Sequence, residues 1–140
     1  MKTDNTIFLM GRISEKADRF LTEALRQAGL KGIAPSHGDI IANLLKCGEA
    51  TMTQLAELIC RDPSTVTVLV GKLRQQGIVA VRRSVTDSRV ALVALTDKGK
   101  ALGPLFASIS AELYAREYKG VTAEEQAMLR GLLARINRNF

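Results

Sequence analysis

The 140-residue chain is 46% apolar and 24% charged, the balance of an ordinary globular domain and too little charge for a disordered one. Its longest unbroken apolar run, Val90 to Leu95, is far short of a membrane span. Lys2 with the short patch Ile7-Phe8-Leu9-Met10 does not read as a secretory leader, so the expected setting is the cytoplasm. Two cysteines, Cys47 and Cys60, are too few for a disulfide framework, and one histidine, His37, excludes a His-rich metal site. The net charge of +6 is unevenly placed: residues 61–100 carry eight basic and three acidic side chains. Such clustering is the electrostatic footprint of a polyanionic partner.

Taken in chain order, Phe8, Ile13, Ala17, Phe20, Leu21, Ala24 and Ala28 recur at helical spacing and predict a long amphipathic helix that ends near Gly29 or Gly32. Pro35-Ser36 opens a second helix, with Ser36 and Asp39 in capping-box spacing and Ile40, Ile41, Leu44 and Leu45 as its buried stripe. It stops near Cys47-Gly48. Thr51 and Gln54 form a second capping box for a third helix, whose inward face is Leu55, Leu58 and Ile59. Asp62 caps a fourth helix with Pro63 in its first position and Gly77 at its end.

After Gly77 the period changes. Ile78–Arg83 and Val90–Leu95 are β-rich runs joined by the polar loop 84–89, which predicts a hairpin with a basic tip. Thr96 caps a fifth helix carrying Leu102, Leu105, Phe106, Ile109 and Leu113, within which Pro104 should force a kink or a late start. Thr122 and Glu125 make a further capping box, and Leu129, Leu132, Leu133, Ile136 and Phe140 line the last helix.

Two short helices followed by a basic hairpin describe a winged helix-turn-helix over about Thr51 to Leu95. Ala56 is the small residue where the two helices cross. Val66, Leu69, Val70 and Leu73 define the buried side of the second helix, which leaves Ser64, Thr67, Val68 and Gly71 on the outer side, flanked by Thr65 and Lys72. Hydroxyls can bond base edges or phosphates and a valine can meet a thymine methyl, whereas a merely solvated helix usually carries Glu, Lys and Gln. In the hairpin, Asp87 and Arg89 are spaced to pair, which would orient the guanidinium for a minor groove. Arg82 and Arg83 are placed to touch phosphates.

The runs Leu55-Ala56-Glu57, Ser64-Thr65-Val66-Thr67, Leu69-Val70 and Lys72-Leu73 resemble the MarR family of bacterial regulators. So do Arg82-Arg83, Asp87-Ser88-Arg89 and Leu95-Thr96-Asp97-Lys98-Gly99, together with the Ala34-Pro35-Ser36 entry to the second helix. The resemblance covers almost the whole chain. It implies a mainly α fold with a small β-hairpin wing, in one domain over 1–140. Within it, 35–99 would form the winged lobe and 1–34 with 100–140 the dimerisation helices. It implies a homodimer reading pseudo-palindromic double-stranded DNA as a repressor, relieved by a small, often phenolic, ligand or by an oxidant.

The implied DNA-contacting residues are Arg61, Ser64, Thr65, Thr67, Val68, Lys72, Arg74, Arg82, Arg83, Asp87, Ser88 and Arg89. Three of this chain's residues depart from the family pattern: Cys60 where glycine is common, Arg61 where an apolar residue is common, and Val68 where a basic one is frequent. They leave the operator sequence open.

Catalysis has little footing here. There is no phosphate loop, nucleophile elbow or paired-ligand motif, and no cofactor or metal is called for. A winged-helix protein-interaction or RNA-binding module is the alternative, but all six aromatic residues lie outside the basic segment, so no stacking platform for single strands exists there. Cys60 is expected to be a small buried filler rather than a redox sensor, and His37 is expected to be exposed.

Overall fold

The computed structural model describes residues 3–140, so Lys2 lies outside the described residues. The elements are α1 (Thr6–Gln27), α2 (Pro35–Cys47), β1 (Glu49–Thr51), α3 (Met52–Ile59), α4 (Pro63–Gln75), β2 (Val79–Arg83), β3 (Ala91–Leu95), α5 (Asp97–Lys100), α6 (Gly103–Glu117) and α7 (Ala123–Asn137). The fold is mostly helical with one small antiparallel sheet in the order β1-β3-β2. No helix among the described residues is long and apolar enough to cross a membrane.

The core sits under the sheet, between α2, α3 and α4. Ile40, Ile41, Leu44, Leu55, Val66, Val70, Leu73, Ile78 and Val93 are all essentially inaccessible. Each comes from a stripe that recurs every three or four residues in the helices or alternates in the strands, which is how amphipathic elements share one core. Three caps set the frame. Thr51 accepts from the Gln54 amide at 3.1 Å while Gln54 accepts back at 2.8 Å. Asp62 accepts from the Thr65 amide at 2.8 Å, and Thr122 and Glu125 pair reciprocally.

Gly99 is buried where the short α5 passes β2, and a Cβ there would overlap the Ile78 carbonyl. Pro104 occupies the first turn of α6 and delays its start, with α5 as a separate four-residue turn before it. That choice leaves α6 without an interior amide missing.

Several sequence expectations are corrected. The start of α2 is capped at Ala34, not through Ser36 and Asp39: the His37 Nδ1 accepts the Ala34 amide at 3.0 Å, and Ala34 has no side chain with which to complete a reciprocal box. His37 is therefore buried rather than exposed, at 8% of its free surface. Leu58 and Leu45 turn outward, because Leu55 with Ala56, and Ile41 with Leu44, already fill the positions facing the core. A third strand, Glu49–Thr51, pairs with β3 in the register Ala50↔Val93 and was not foreseen.

The His37 cap makes part of the stability pH-dependent. Burial and, secondarily, the nearby Lys72 ammonium hold its pKa below the ordinary histidine value, and the cap itself needs an unprotonated Nδ1. A group whose pKa is lowered on folding contributes stability in full above its unfolded value of about 6.5 and loses it as pH falls. The melting temperature should therefore drop between about pH 7 and pH 5.5, and His37→Gln, which keeps an acceptor but does not titrate, should flatten that portion of the profile. Thermal unfolding across this pH range checks it, and an unchanged slope in the variant would remove His37 from the account.

Candidate nucleic-acid interface

The residues singled out from sequence fall on α4, on the turn before it and on the β2–β3 hairpin. α4 begins at Pro63 because Asp62 supplies the cap and proline needs no amide partner there. Its inner stripe is committed to the core through Val66, Val70 and Leu73. Ser64, Thr67, Val68 and Gly71 consequently lie on the exposed side. Val68 is 73% exposed, and beyond its chain neighbours and the helix's own backbone nothing comes within 4 Å of where a Cβ on Gly71 would sit. Nothing in the described chain covers this face.

The hydroxyls on that helix are internally engaged. Ser64 and Thr65 both donate to the Asp62 carboxylate, and Thr67 donates back to the Pro63 carbonyl at 2.9 Å. The Ser64 and Thr65 bonds hold the Asp62 carboxyl below the usual carboxylate range, the Ser64 hydroxyl contributing most. These hydroxyls keep lone pairs for a partner but have spent their protons.

The wing is held at its root and free at its tip. Arg82 and Arg83 end β2, and the loop closes through the Ser84 amide on the Val90 carbonyl at 2.9 Å. At the tip, Arg89 donates through Nε to Asp87 Oδ1 at 3.1 Å, and its own backbone amide donates to the same oxygen at 3.0 Å. The Arg89 side chain remains 90% exposed, and its hydrogen bonds hold the Asp87 carboxyl below its usual value. The spacing read from sequence thus places the pair as expected, with the guanidinium oriented outward from the loop. Ser88 is exposed beside it.

Other residues are placed differently from what their types suggested. Arg82 reaches across β3 to Glu49 on β1, donating to both carboxylate oxygens at 2.9 and 3.1 Å. It is thus held by the sheet, with its side chain still half-exposed. Lys72 is half-buried, with its ammonium against Gly32 and near His37, so it folds back over the α1–α2 connection. Arg74 and Arg83 are exposed and have no carboxylate partner among the described residues. Arg61, in the turn before α4, donates to Ser36 Oγ at 3.3 Å.

Cys60 is the αL cap of α3, with φ 55° and ψ 46°, and the thiol is exposed rather than a buried filler. The turn between α3 and α4 requires this left-handed residue, a conformation that costs a side chain roughly 1–2 kcal/mol. Cys47 is also exposed. Because the strain lies at the backbone, Cys60→Gly should leave stability within about 1 kcal/mol of the parent, the relief at φ offsetting the greater entropy of the unfolded chain. Cys60→Val should be clearly destabilised, since β-branched residues rarely adopt positive φ. Denaturant midpoints for the two variants test this; equal midpoints would mean that the turn relaxes.

A second feature shares no lining residue with α4 or the hairpin. A cavity of about 440 Å³ opens between α1, α2 and α6, walled by Leu21, Leu25, Phe106 and Ile109, with Asp39, Lys46 and Tyr114 at its edges. Burial, with the Asp18 charge as a second cause, raises the Asp39 pKa. His37 is not among the lining residues. No group of three or more His, Cys, Asp or Glu side chains placed to hold a metal exists among the described residues.

An exposed, uncharged helix face beside a basic β-hairpin, on a helix-turn-helix core, defines the winged-helix class. The MarR family model matches residues 33–91 of the chain. The HTH-type transcriptional regulator YdgJ of Bacillus subtilis is 29% identical over 109 residues, covering 78% of this chain and 66% of that protein. The HTH-type transcriptional repressor MdtR of the same organism is 31% identical over 77 residues, covering 55% and 50%. The aligned stretches thus span half to two thirds of these curated relatives.

Among solved structures, a MarR variant from E. coli complexed with operator DNA superposes with a TM-score of 0.81 at 25% identity, covering 97% of this chain and 99% of that one. The transcriptional regulator SlyA gives 0.85 at 18% identity, covering 97% and 94%, a likeness of fold.

Proposed function

We propose that the chain is a sequence-specific double-stranded DNA-binding transcription regulator, acting as a repressor from a homodimer in the cytoplasm, and that it is not an enzyme. The observation that carries this is the pairing of an unclothed α4 face with an outward, carboxylate-oriented Arg89 on the adjacent wing. A major-groove helix flanked by a minor-groove arginine is a recurrent way for such modules to dock. Most of the chain's excess positive charge, in residues 61–100, lies on the same two elements and their immediate flanks.

The domain reading divides the single domain into residues 35–99 as the DNA-binding lobe and 1–34 with 100–140 as dimerisation helices. Apolar exposure supports it. Ile7, Phe8, Leu9 and Ile13 of α1 and Met128, Leu129, Leu132 and Leu133 of α7 are all exposed, and α7 buries none of its residues. The chain's accessible surface is 9973 Å², against about 7,100 Å² for a compact chain of this size. A second copy would cover such surfaces. Sedimentation of the full chain should give a dimer, and deletion of 124–140 should give unfolded or aggregated protein. A well-folded monomer from that deletion would refute the assignment of α7.

The cavity between α1, α2 and α6 joins both regions, so a small, ring-containing ligand seated there would bias the lobe spacing on which a two-lobed operator contact depends. Relief of repression by such a ligand is part of the proposed function.

Fluorescence anisotropy with duplex DNA across a salt series tests the DNA reading and the roles of the wing together. Affinity should fall steeply with salt, as counterion release requires. Arg83→Ala should weaken all duplexes and lower the salt slope by about one unit. Arg89→Ala should cost about 1–3 kcal/mol, and only on the preferred sequence. Asp87→Ala removes a negative charge, so a purely electrostatic wing would bind DNA more tightly. With Arg89 released from its carboxylate, the preferred sequence should instead be bound more weakly. Tighter binding by Asp87→Ala to preferred and random duplex alike would sink the orienting role, and salt-insensitive or absent duplex binding would sink the function.

A further inference from the structure

Over its first three turns the outward face of α4 carries none of the side chains that usually read bases by paired hydrogen bonds. Arg, Asn and Gln forks make the bidentate contacts to guanine and adenine. Over the first three turns of α4 the exposed residues are Pro63, Ser64, Thr67, Val68 and Gly71. Lys72 folds back to the α1–α2 connection, and the first exposed forks, Arg74 and Gln75, come only at the far end of the helix. The hydroxyl protons of Ser64 and Thr67 are already donated to Asp62 and to the Pro63 carbonyl. What this face presents at its centre is an isopropyl group, 73% exposed, with open space at Gly71 one turn on.

An exposed valine is unremarkable on a surface that stays in water. Here it occupies the middle of a face whose neighbouring elements carry the positive charge, and burial of an apolar group in a major groove has one matching feature among the bases. Thymine alone places a methyl group on that edge in unmodified DNA.

We propose that Val68 reads a thymine 5-methyl group in the major groove, so that α4 selects its sequence by methyl contact rather than by paired hydrogen bonds. This rests on the DNA-binding reading above and deepens it. It also separates the helix from the wing. An oriented Arg89 in a narrow minor groove favours A·T pairs through shape and potential, and that preference does not depend on the 5-methyl group, which lies in the other groove. Exchanging thymine for uracil therefore removes the contact made by Val68 and leaves the minor-groove acceptors intact.

The full-length protein is used to enrich duplexes from a random pool, and the enriched sequence is synthesised with thymine, uracil or 5-bromouracil at each A·T position in turn. At one position in a half-site, uracil should weaken binding roughly fourfold, the effect of exposing one buried methyl-sized group. The bromine of 5-bromouracil, close to a methyl group in size, should restore binding. Val68→Ala should bind the thymine and uracil duplexes alike. Because Val68 is exposed, its melting temperature should match that of the parent, and Val68→Ile should keep the discrimination.

Equal binding of thymine and uracil duplexes by the parent chain would overturn the proposal, as would a uracil penalty that persists in Val68→Ala. Binding to DNA with no enriched sequence, or with enrichment of G·C pairs only under α4, would overturn methyl reading while leaving DNA binding standing. Failure to bind any duplex would instead overturn the function on which the proposal rests.

Discussion

Burial of Val66, Val70 and Leu73 is the constraint from which the rest of the lobe follows. These three residues are between 0% and 1% exposed, and a helix that commits one stripe to a core has no freedom about the other. With the inner stripe fixed against Leu55 and the α2 residues Ile40, Ile41 and Leu44, the remaining face is determined residue by residue. Truncating Leu73 to alanine would cost about 2–5 kcal/mol, a large fraction of the stability of a domain this size. The same packing that stabilises the fold thereby chooses which side chains meet a partner.

The sheet extends this logic to the wing. β3 is the central strand, with Val93 and Leu95 on the core side, and it pins both β1 and β2. Arg82 and Glu49 tie the two outer strands together across it. An exposed ion pair of this kind contributes little to stability. Its effect is geometric: it holds the root of the hairpin to the lobe, so the tip extends from a rigid base. Arg89 at the tip is fixed separately by Asp87 through both its side chain and its backbone. Two carboxylates thus orient two arginines, one toward the protein and one away from it.

Most of the fold was legible because its signals are local or periodic. The Thr51–Gln54 and Thr122–Glu125 boxes, the Asp62-Pro63 start and the change of period after Gly77 lie within a few residues of one another. What escaped depends on contacts that a linear reading does not contain. β1 is three residues long, too short to show alternation, and exists because β3 offers a free edge. The burial of His37 is not legible in the sequence, because it caps through an imidazole nitrogen rather than the hydroxyl or carboxylate that capping patterns anticipate. The type and place of Arg82 in the strand point to phosphate and say nothing of Glu49, the partner that stands 33 residues earlier in the chain. Leu58 fits a helical stripe, yet α3 has only eight residues and its core side is already filled by Leu55 and Ala56.

Cys60 shows how a departure from a family pattern can be read physically. The turn between α3 and α4 needs a residue at positive φ, which glycine supplies without steric cost. A cysteine there accepts backbone strain that a glycine would not, and it leaves a thiol exposed at the joint that sets the angle between the two helices. Strain of this size is tolerated only where surrounding packing over-determines the geometry. Here that packing comes from Leu55 and Ala56 on one side and Val66 on the other, all buried. The turn is therefore held from both ends by the core, and the outer face of α4 inherits that rigidity. A surface that reads DNA by a single methyl contact depends on such rigidity more than one that uses long, adaptable side chains, because a valine cannot reach to compensate for a misplaced helix.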